Sequence, residues 1–233
     1  MIEKVNINHV LFLDIETAPL VYNYNQLQEP HKKLWDLKFQ HHKDVTPEQQ
    51  YAKAGIFAEF AKVICICVGY FNGNEFRIKS FYGDDEKDIL NQFKNMLNNN
   101  YSDTKYLLCA HNGKEFDFPF LCRRLLVNGI PIPTILQLQG KKPWEVQHLD
   151  TMELWKFGDY KNYTSLQLLA AVFNIPTPKD DIDGSQVARV YYEEKNIERI
   201  KKYCVKDVVT VARVFQKMRA EQPMRDDQIV ITN

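Results

Sequence analysis

The residues predict an α/β fold, on three observations. Val10-Leu11-Phe12-Leu13 is an apolar run long enough for a buried strand and too short for most helices. Val63 to Phe71 is β-rich, nearly all apolar, and ends at the strong hairpin signal Asn72-Gly73. Tyr106 to Ala110 is a further short apolar run, and it follows a helical pattern, as a crossover strand requires. The 233 residues are 45% hydrophobic and 12% aromatic, so a packed core is expected rather than wholesale disorder. That length suits one large α/β domain or two small ones. No internal repeat, low-complexity tract or linker divides the chain, and residues 1–233 read as a single domain.

Taken in order, the first strand covers residues 10–14, and Pro19 follows as a breaker. Residues 21–60 then interrupt the sheet pattern with a polar insertion holding two helices. The second begins with Thr46 as N-cap, Pro47 at the first helical position and Glu48 in the first turn. An insertion of this size usually lies over a surface and often carries function, so it reads as a lid or side wall. Its histidines, His31, His41 and His42, are expected on a solvated helix face rather than around a metal.

Glu75 to Phe81 returns from the Asn72-Gly73 turn, giving three antiparallel strands with 10–14 joined to the hairpin. Asp84 is expected to cap the next helix, whose Ile89, Phe93, Met96 and Leu97 form a stripe that stops at Asn98-Asn99-Asn100. His111-Asn112-Gly113 turns the chain after the 106–110 strand. A helix then starts at Phe116-Asp117-Phe118-Pro119, passes Leu121, Leu125 and Leu126, and ends at Asn128-Gly129. Residues 130–147 are irregular, and His148 to Thr151 is one more short strand. Thr164 and Gln167 form a capping-box pattern ahead of Leu168, Leu169 and Val172. Asn196 caps a long helix to about Glu221, apolar at Ile200, Cys204, Val208, Val211 and Phe215.

Thirty basic and 30 acidic residues cancel, which argues against a broad nonspecific coat for duplex nucleic acid. A local basic cleft remains compatible with that balance. The cysteines are Cys65, Cys67, Cys109, Cys122 and Cys204, an odd number with no C-x-x-C. Buried free thiols in a reducing compartment are expected, not a zinc knuckle or a disulfide framework. No secretory segment opens the chain and no apolar run approaches membrane-spanning length. A soluble, cytoplasmic protein without a membrane partner is the expectation.

Four acids carry the chemical argument. Asp14 and Glu16 alternate with Ile15, so on a strand their side chains share one face. Two such acids repel each other and resist burial, unless a divalent cation lies between them or the pair sits in a solvated turn. Asp117 opens a helix just after a strand, where it either caps the helix or joins a site at the strand ends. Tyr203 and Asp207 are four apart on the last helix and share a face beside its apolar stripe. Four acids from three elements suit two Mg²⁺ or Mn²⁺ ions about 4 Å apart, which activate a water and stabilise the leaving oxygen of a phosphodiester. Hard oxygen ligands select such ions, and no histidine or cysteine ligand is needed.

Asp14-Ile15-Glu16, then His111-Asn112-Gly113-Lys114-Glu115-Phe116-Asp117, then Tyr203-Cys204-Val205-Lys206-Asp207 resemble the three motifs of the DEDD 3′–5′ exonucleases, in order. The tyrosine four before the last Asp resembles the Tyr-bearing subgroup. The similarity extends over about residues 8–218 to stand-alone predicted exonucleases related to the proofreading domain of family B DNA polymerases. It implies an RNase H-like fold, a mixed five-stranded sheet with helices on both sides. It further implies that Asp14, Glu16 and Asp207 hold the water-activating metal, with Asp14 bridging to a second ion that Asp117 reaches. Tyr203 would orient the attacking water through its hydroxyl. The 3′ polarity comes from the resemblance alone, and the 21–60 insertion departs from the minimal family core.

Lesser candidates surround these five. Asp150 lies at a strand end as outer support or in a solvated turn. Asn112 bonds the substrate sugar or only its own turn. Phe116 and Phe118 either stack on a terminal base or belong to the core. Lys141, Lys142 and Trp144, or Lys161 with Tyr163, line a single-strand path or plain surface. Asp183 reads as a loop or cap residue. The expected substrate is a single-stranded 3′ end, DNA before RNA. An exoribonuclease of the same fold and a noncatalytic nucleic-acid or partner-binding module are the rival readings.

Overall fold

A six-stranded mixed sheet forms the centre of the computed structural model, which describes residues 2–41, 44–159, 163–176 and 182–232. The strands are β1 (Val10–Pro19), β2 (Ala61–Asn72), β3 (Glu75–Tyr82), β4 (Leu107–Ala110), β5 (Leu149–Asp150) and β6 (Ile229–Thr232). They are ordered β5-β4-β1-β2-β3-β6 across the sheet. β1, β2 and β3 are antiparallel neighbours, as the hairpin signal requires, while β4, β5 and β6 join in parallel. The helices are α1 (His31–Phe39), α2 (Pro47–Gln50), α3 (Glu86–Asn100), α4 (Asp117–Val127), α5 (Thr151–Lys156), α6 (Leu166–Val172), α7 (Val187–Arg189) and α8 (Ile197–Met218).

Alternation along β1 sorts the core into two layers. Leu11, Leu13 and Ile15 face α3 and α4, packing with Phe93, Leu97, Phe118 and Leu121. Val10 and Phe12 face the other way, onto Cys204, Val208, Val211 and Phe215 of α8. Asp14 and Glu16 continue that second set, so the strand's period directs both acids toward α8. The β1–β2 register slips between Glu16 and Thr17, a bulge that puts the extra residue, Ile64, on β2 just past the acids. Gly69 on β2 is obligatory for close packing, because Phe76 and Val208 occupy the space a Cβ would need.

The insertion has a core of its own, with Trp35 fully buried among Leu27, Phe39, Tyr51 and Phe60. Trp35 Nε1 donates to the carbonyl of Pro47 at 2.7 Å, and Thr17 Oγ1 to that of Gly55 at 2.7 Å, so the insertion is tied to the end of β1. Its second helix starts as expected, with Thr46 and Gln49 forming a capping box and Pro47 at the first position. His31 and His41 are exposed, and His42 lies outside the described residues.

Several boundaries differ from the sequence reading. The sheet has a sixth strand, because Ile229–Thr232 adds in parallel to the edge strand β3. Asp85, not Asp84, caps α3, accepting from the Asp88 N–H at 3.1 Å, while Asp84 accepts from the Tyr191 hydroxyl at 2.8 Å. Ser165 replaces Thr164 as the cap of α6, accepting from the Leu168 N–H at 3.2 Å. α8 closes at Met218, where the Arg219 N–H bonds back to the last turn. Among the described residues the cysteines are free thiols, and no helix is long and apolar enough to cross a membrane.

Candidate active site

The site lies on the α8 side of the sheet, where β1 outruns its neighbour β4. β4 pairs with β1 only as far as Phe12, leaving the next stretch of that edge open. The chain leaves β4 at Ala110, turns through His111-Asn112-Gly113, and enters α4 with Asp117 in its first turn. Asp117 is 3% exposed, buried at this open edge beside Ile15. The helix start thus fills the edge position that a longer β4 would have taken.

Asp150 fixes the turn that makes this possible. Its Oδ1 accepts from the backbone N–H groups of Asn112 (3.0 Å), Met152 (2.9 Å) and Glu153 (3.2 Å), and its Oδ2 from Lys114 (3.1 Å). It is 3% exposed and caps α5, so the solvated-turn reading is excluded. His111 adds a second tie, with Nδ1 2.9 Å from Thr151 Oγ1 and Nε2 2.9 Å from the carbonyl of Thr164. Gly113 has no room for a side chain, since a Cβ would overlap Ala110 and crowd the Phe118 ring.

The four acids come together from β1, α4 and α8. One oxygen each of Asp14 and Glu16 lies within 4.8 Å of the other and of Cys204 Sγ. Burial pushes the Asp14 carboxyl well above the ordinary range, and repulsion from Glu16, Asp207 and Asp117 adds to it. Glu16, 7% exposed, is raised in the same way by burial and then by Asp207, Cys67 and Asp117. Asp117 is pushed up to about 7, chiefly by burial, with Asp150 and Asp207 as the repelling neighbours. Asp14 Oδ2 is enclosed and has no hydrogen-bond partner, and Asn112 Oδ1 is in the same condition.

Tyr203 projects from α8 one turn before Asp207, with its phenol among the Asp207, Glu16 and Asp14 carboxylates. Burial first, then the charges of Asp207, Glu16 and Asp14, push its phenol far above the ordinary range. Cys204, between them in sequence, donates its thiol to the carbonyl of Asp14 at 3.4 Å and so pins α8 to β1. Sequence reasoning treated Cys204 only as core, and nothing in its spacing signalled that contact.

The remaining candidates divide. Phe118 is fully buried against the sheet and belongs to the core, which removes it as a base-stacking residue. Phe116 is half-buried and packs its ring 5.4 Å from Phe120. Asn112 adopts φ 62°, and its carbonyl accepts from Phe116 N at 3.0 Å, so its backbone serves the turn. Trp144 is 75% exposed with Lys142 Nζ 5.3 Å from its ring centre, and Lys141 is exposed beside them. Tyr163 is largely exposed, yet partial burial and the Asp150, Glu115 and Asp117 carboxylates raise its phenol, placing it near the acids. Lys161 lies outside the described residues. Asp183 caps a single helical turn, accepting from Ser185 N at 2.8 Å.

A mixed sheet with helices on both faces, and acids gathered where its central strand outruns a neighbour, defines the RNase H-like class. Residues 56–228 match the family described as predicted 3′–5′ exonucleases related to the exonuclease domain of PolB, and the chain belongs to that family. Asp14 and Glu16 lie ahead of the matched range. A DNA polymerase of Pyrococcus glycovorans is 24% identical over 152 residues, 58% of this chain and 19% of the polymerase. The family B DNA polymerase of the hyperthermophilic archaeon Pyrobaculum calidifontis shares the fold, with a TM-score of 0.56 at 15% identity. That likeness covers 89% of this chain and 24% of the polymerase, so the chain spans a minor part of either relative's length.

Proposed function

We propose that this chain, working as one domain, is a two-metal-dependent 3′–5′ exonuclease that removes nucleotides from single-stranded ends, DNA in preference to RNA. The observation that carries the reading is the orphaned Asp14 Oδ2 within a group of mutually repelling, largely buried carboxylates. Natural proteins rarely leave a buried acceptor unsatisfied, and a cation answers both the missing partner and the repulsion. The donors are carboxylate oxygens, which fit Mg²⁺ or Mn²⁺. Asp14, Glu16 and Asp207 would hold one ion, and Asp14 with Asp117 the second. Bound there, the pair would supply an activated water and charge stabilisation for the leaving oxygen.

The chain's own groups then have distinct tasks. Tyr203 would direct its hydroxyl at the attacking water, holding the oxygen in line with the phosphorus. Its strongly raised phenol keeps the proton, so it serves as a hydrogen-bond donor and positioner, not as a base. Asp150 positions Asp117 through the turn, without facing the substrate. Asn112 Oδ1 is an unsatisfied acceptor for a hydroxyl of the terminal sugar, with Phe116 the adjoining ring surface for its base. The family's relation to the exonuclease domain of PolB supports DNA as the substrate.

The test is digestion of end-labelled single-stranded DNA and RNA of matched sequence, with Mg²⁺, Mn²⁺ or chelator. Stepwise shortening from the 3′ end of DNA, abolished by chelator, is expected. Shortening of RNA alone would replace the substrate assignment, and absence of cleavage under every condition would refute the enzyme.

A further inference from the structure

Three of the five cysteines meet behind the carboxylates. Cys65 and Cys67 flank Ile66 on β2, so both thiols point to the face that α8 covers. Cys204 comes to them from α8, and the three sulfurs lie within 4.8 Å of one another. All three residues are fully buried, with Cys65 Sγ and Cys67 Sγ 3.7 Å apart. Bonds of about 2.3 Å from three thiolates to one ion would set the sulfurs roughly 3.7–4.0 Å apart, so the trio is already close to that spacing. A disulfide suits the arrangement less well. Strand residues two apart are separated by about 6.7 Å, near the upper limit for a bridge, and any pair formed leaves the third thiol over.

The cluster adjoins the acidic site and has a polar neighbour of its own. Cys204 Sγ also lies within 4.8 Å of oxygens of Asp14 and Glu16, so it belongs to both groups. Glu16 is the register partner of Cys65, and Asp14 that of Cys67. Ser80 Oγ is 3.1 Å from Cys67 Sγ, where its hydroxyl can donate to a thiolate. The absence of C-x-x-C excludes a local zinc knuckle but says nothing of a site assembled from a strand and a helix.

We infer that Cys65, Cys67 and Cys204 form a binding site for one thiophilic cation, of the class of Zn²⁺, Cd²⁺ or Cu⁺, and that its occupancy suppresses turnover at the neighbouring carboxylates. Soft thiolates select such ions, whereas the carboxylates select hard ones, so the two adjacent groups discriminate by donor chemistry. Each thiol that binds gives its proton to solvent, and no electron transfer is involved. The ion would sit one sulfur away from Asp14 and Glu16, where its charge competes for the oxygens that the hard metals need. The inhibitory half rests on the exonuclease reading; the binding half does not.

The experiment is titration of the reduced, metal-free chain with Cd²⁺ in excess Mg²⁺, following thiolate-to-cadmium charge-transfer absorption in the ultraviolet. The band should reach its end point at one equivalent in the native chain and in Cys122→Ala, and be lost in Cys67→Ala. Cys65→Ala gives an independent second variant, with circular dichroism confirming that each is folded. Cleavage of end-labelled single-stranded DNA should fall with the same end point, and Cys67→Ala should require about tenfold or more Cd²⁺ for the same inhibition. No band, or a band unchanged in folded Cys67→Ala and Cys65→Ala, overturns the site. A full band with undiminished cleavage overturns the coupling. If the native chain cleaves nothing, the absorption alone still decides the binding, and the failure belongs to the exonuclease reading.

Discussion

Glu86 and Glu16 are both buried glutamates, 8% and 7% exposed, yet their surroundings are opposite. Glu86 is gripped by Arg124, whose Nε and one terminal nitrogen donate to its two oxygens at 2.8 and 2.6 Å. Val63 N–H and Asn128 Nδ2 complete its shell at 2.8 and 2.9 Å, while the other guanidinium nitrogen reaches the carbonyl of Ala58. That acid fastens α3, α4 and β2 together. Glu16 has acids and thiols for neighbours, and beside it Asp14 Oδ2 has no partner at all. Burying a carboxylate is tolerated when cations and donors surround it, so the first arrangement is complete and the second calls for a cation.

The acidic group should be indispensable to turnover. Asp14→Asn and Asp207→Ala are each expected to lower turnover at least about 10³-fold, on the order of 4 kcal/mol in the barrier. End-labelled digestion in Mn²⁺ measures this. In chelator, folding stability should not fall in Asp14→Asn, because burial and its acidic neighbours already disfavour a charge there. Arg124→Met tests the other side. Removing one partner of a buried ion pair leaves Glu86 uncompensated, and a loss of about 3 kcal/mol or more is expected in urea unfolding. A stable Arg124→Met protein, or an unstable Asp14→Asn one, would reverse the roles assigned to the two acids.

Much of this contrast was legible in the residues. The period of β1 placed Asp14 and Glu16 on one face, and the helix period put Tyr203 and Asp207 on a shared edge of α8. Both are local rules of geometry: Asp14 and Glu16 do meet on one face, and Tyr203 does lie beside Asp207. Asp150 was ambiguous because its value depends on four backbone donors brought in by two turns, which spacing does not encode. Phe118 was ambiguous for a like reason, since the register of α4 on the sheet decides whether a ring faces core or cleft. The Glu86–Arg124 pair joins residues 38 apart across two helices and gave no signal at all. β6 was missed because a four-residue strand at a sheet edge carries too little pattern to stand out from a loop.

Tyr203→Phe sharpens the comparison within the site. Its phenol lies among the carboxylates, so deletion of the hydroxyl removes a positioner while leaving all four acids. Turnover should fall about tenfold to a hundredfold, roughly 1.4–2.7 kcal/mol, with Mn²⁺ affinity retained by calorimetry. Unchanged turnover would show that the hydroxyl has no part in placing the water.

The remaining effect concerns protons in place of metal. Asp117 titrates at about 7 in the folded chain against 3.8 for an ordinary aspartate, chiefly because it is buried. Its folded pKa is therefore raised, so the folded form binds its proton more tightly than the unfolded one. The resulting stabilisation is complete below pH 3.8 and is lost as pH rises through about 7. To isolate that contribution, the native chain should be compared in chelator with Asp117→Asn, which cannot titrate there. The difference in unfolding free energy should move steadily against the native chain between pH 4 and pH 8. Saturating Mn²⁺ should abolish the trend, because a cation that binds the folded carboxylates takes over the role of the proton. A trend that survives Mn²⁺ unchanged would mean that Asp117 stays outside the metal group, and would leave Asp14, Glu16 and Asp207 to account for the chemistry alone.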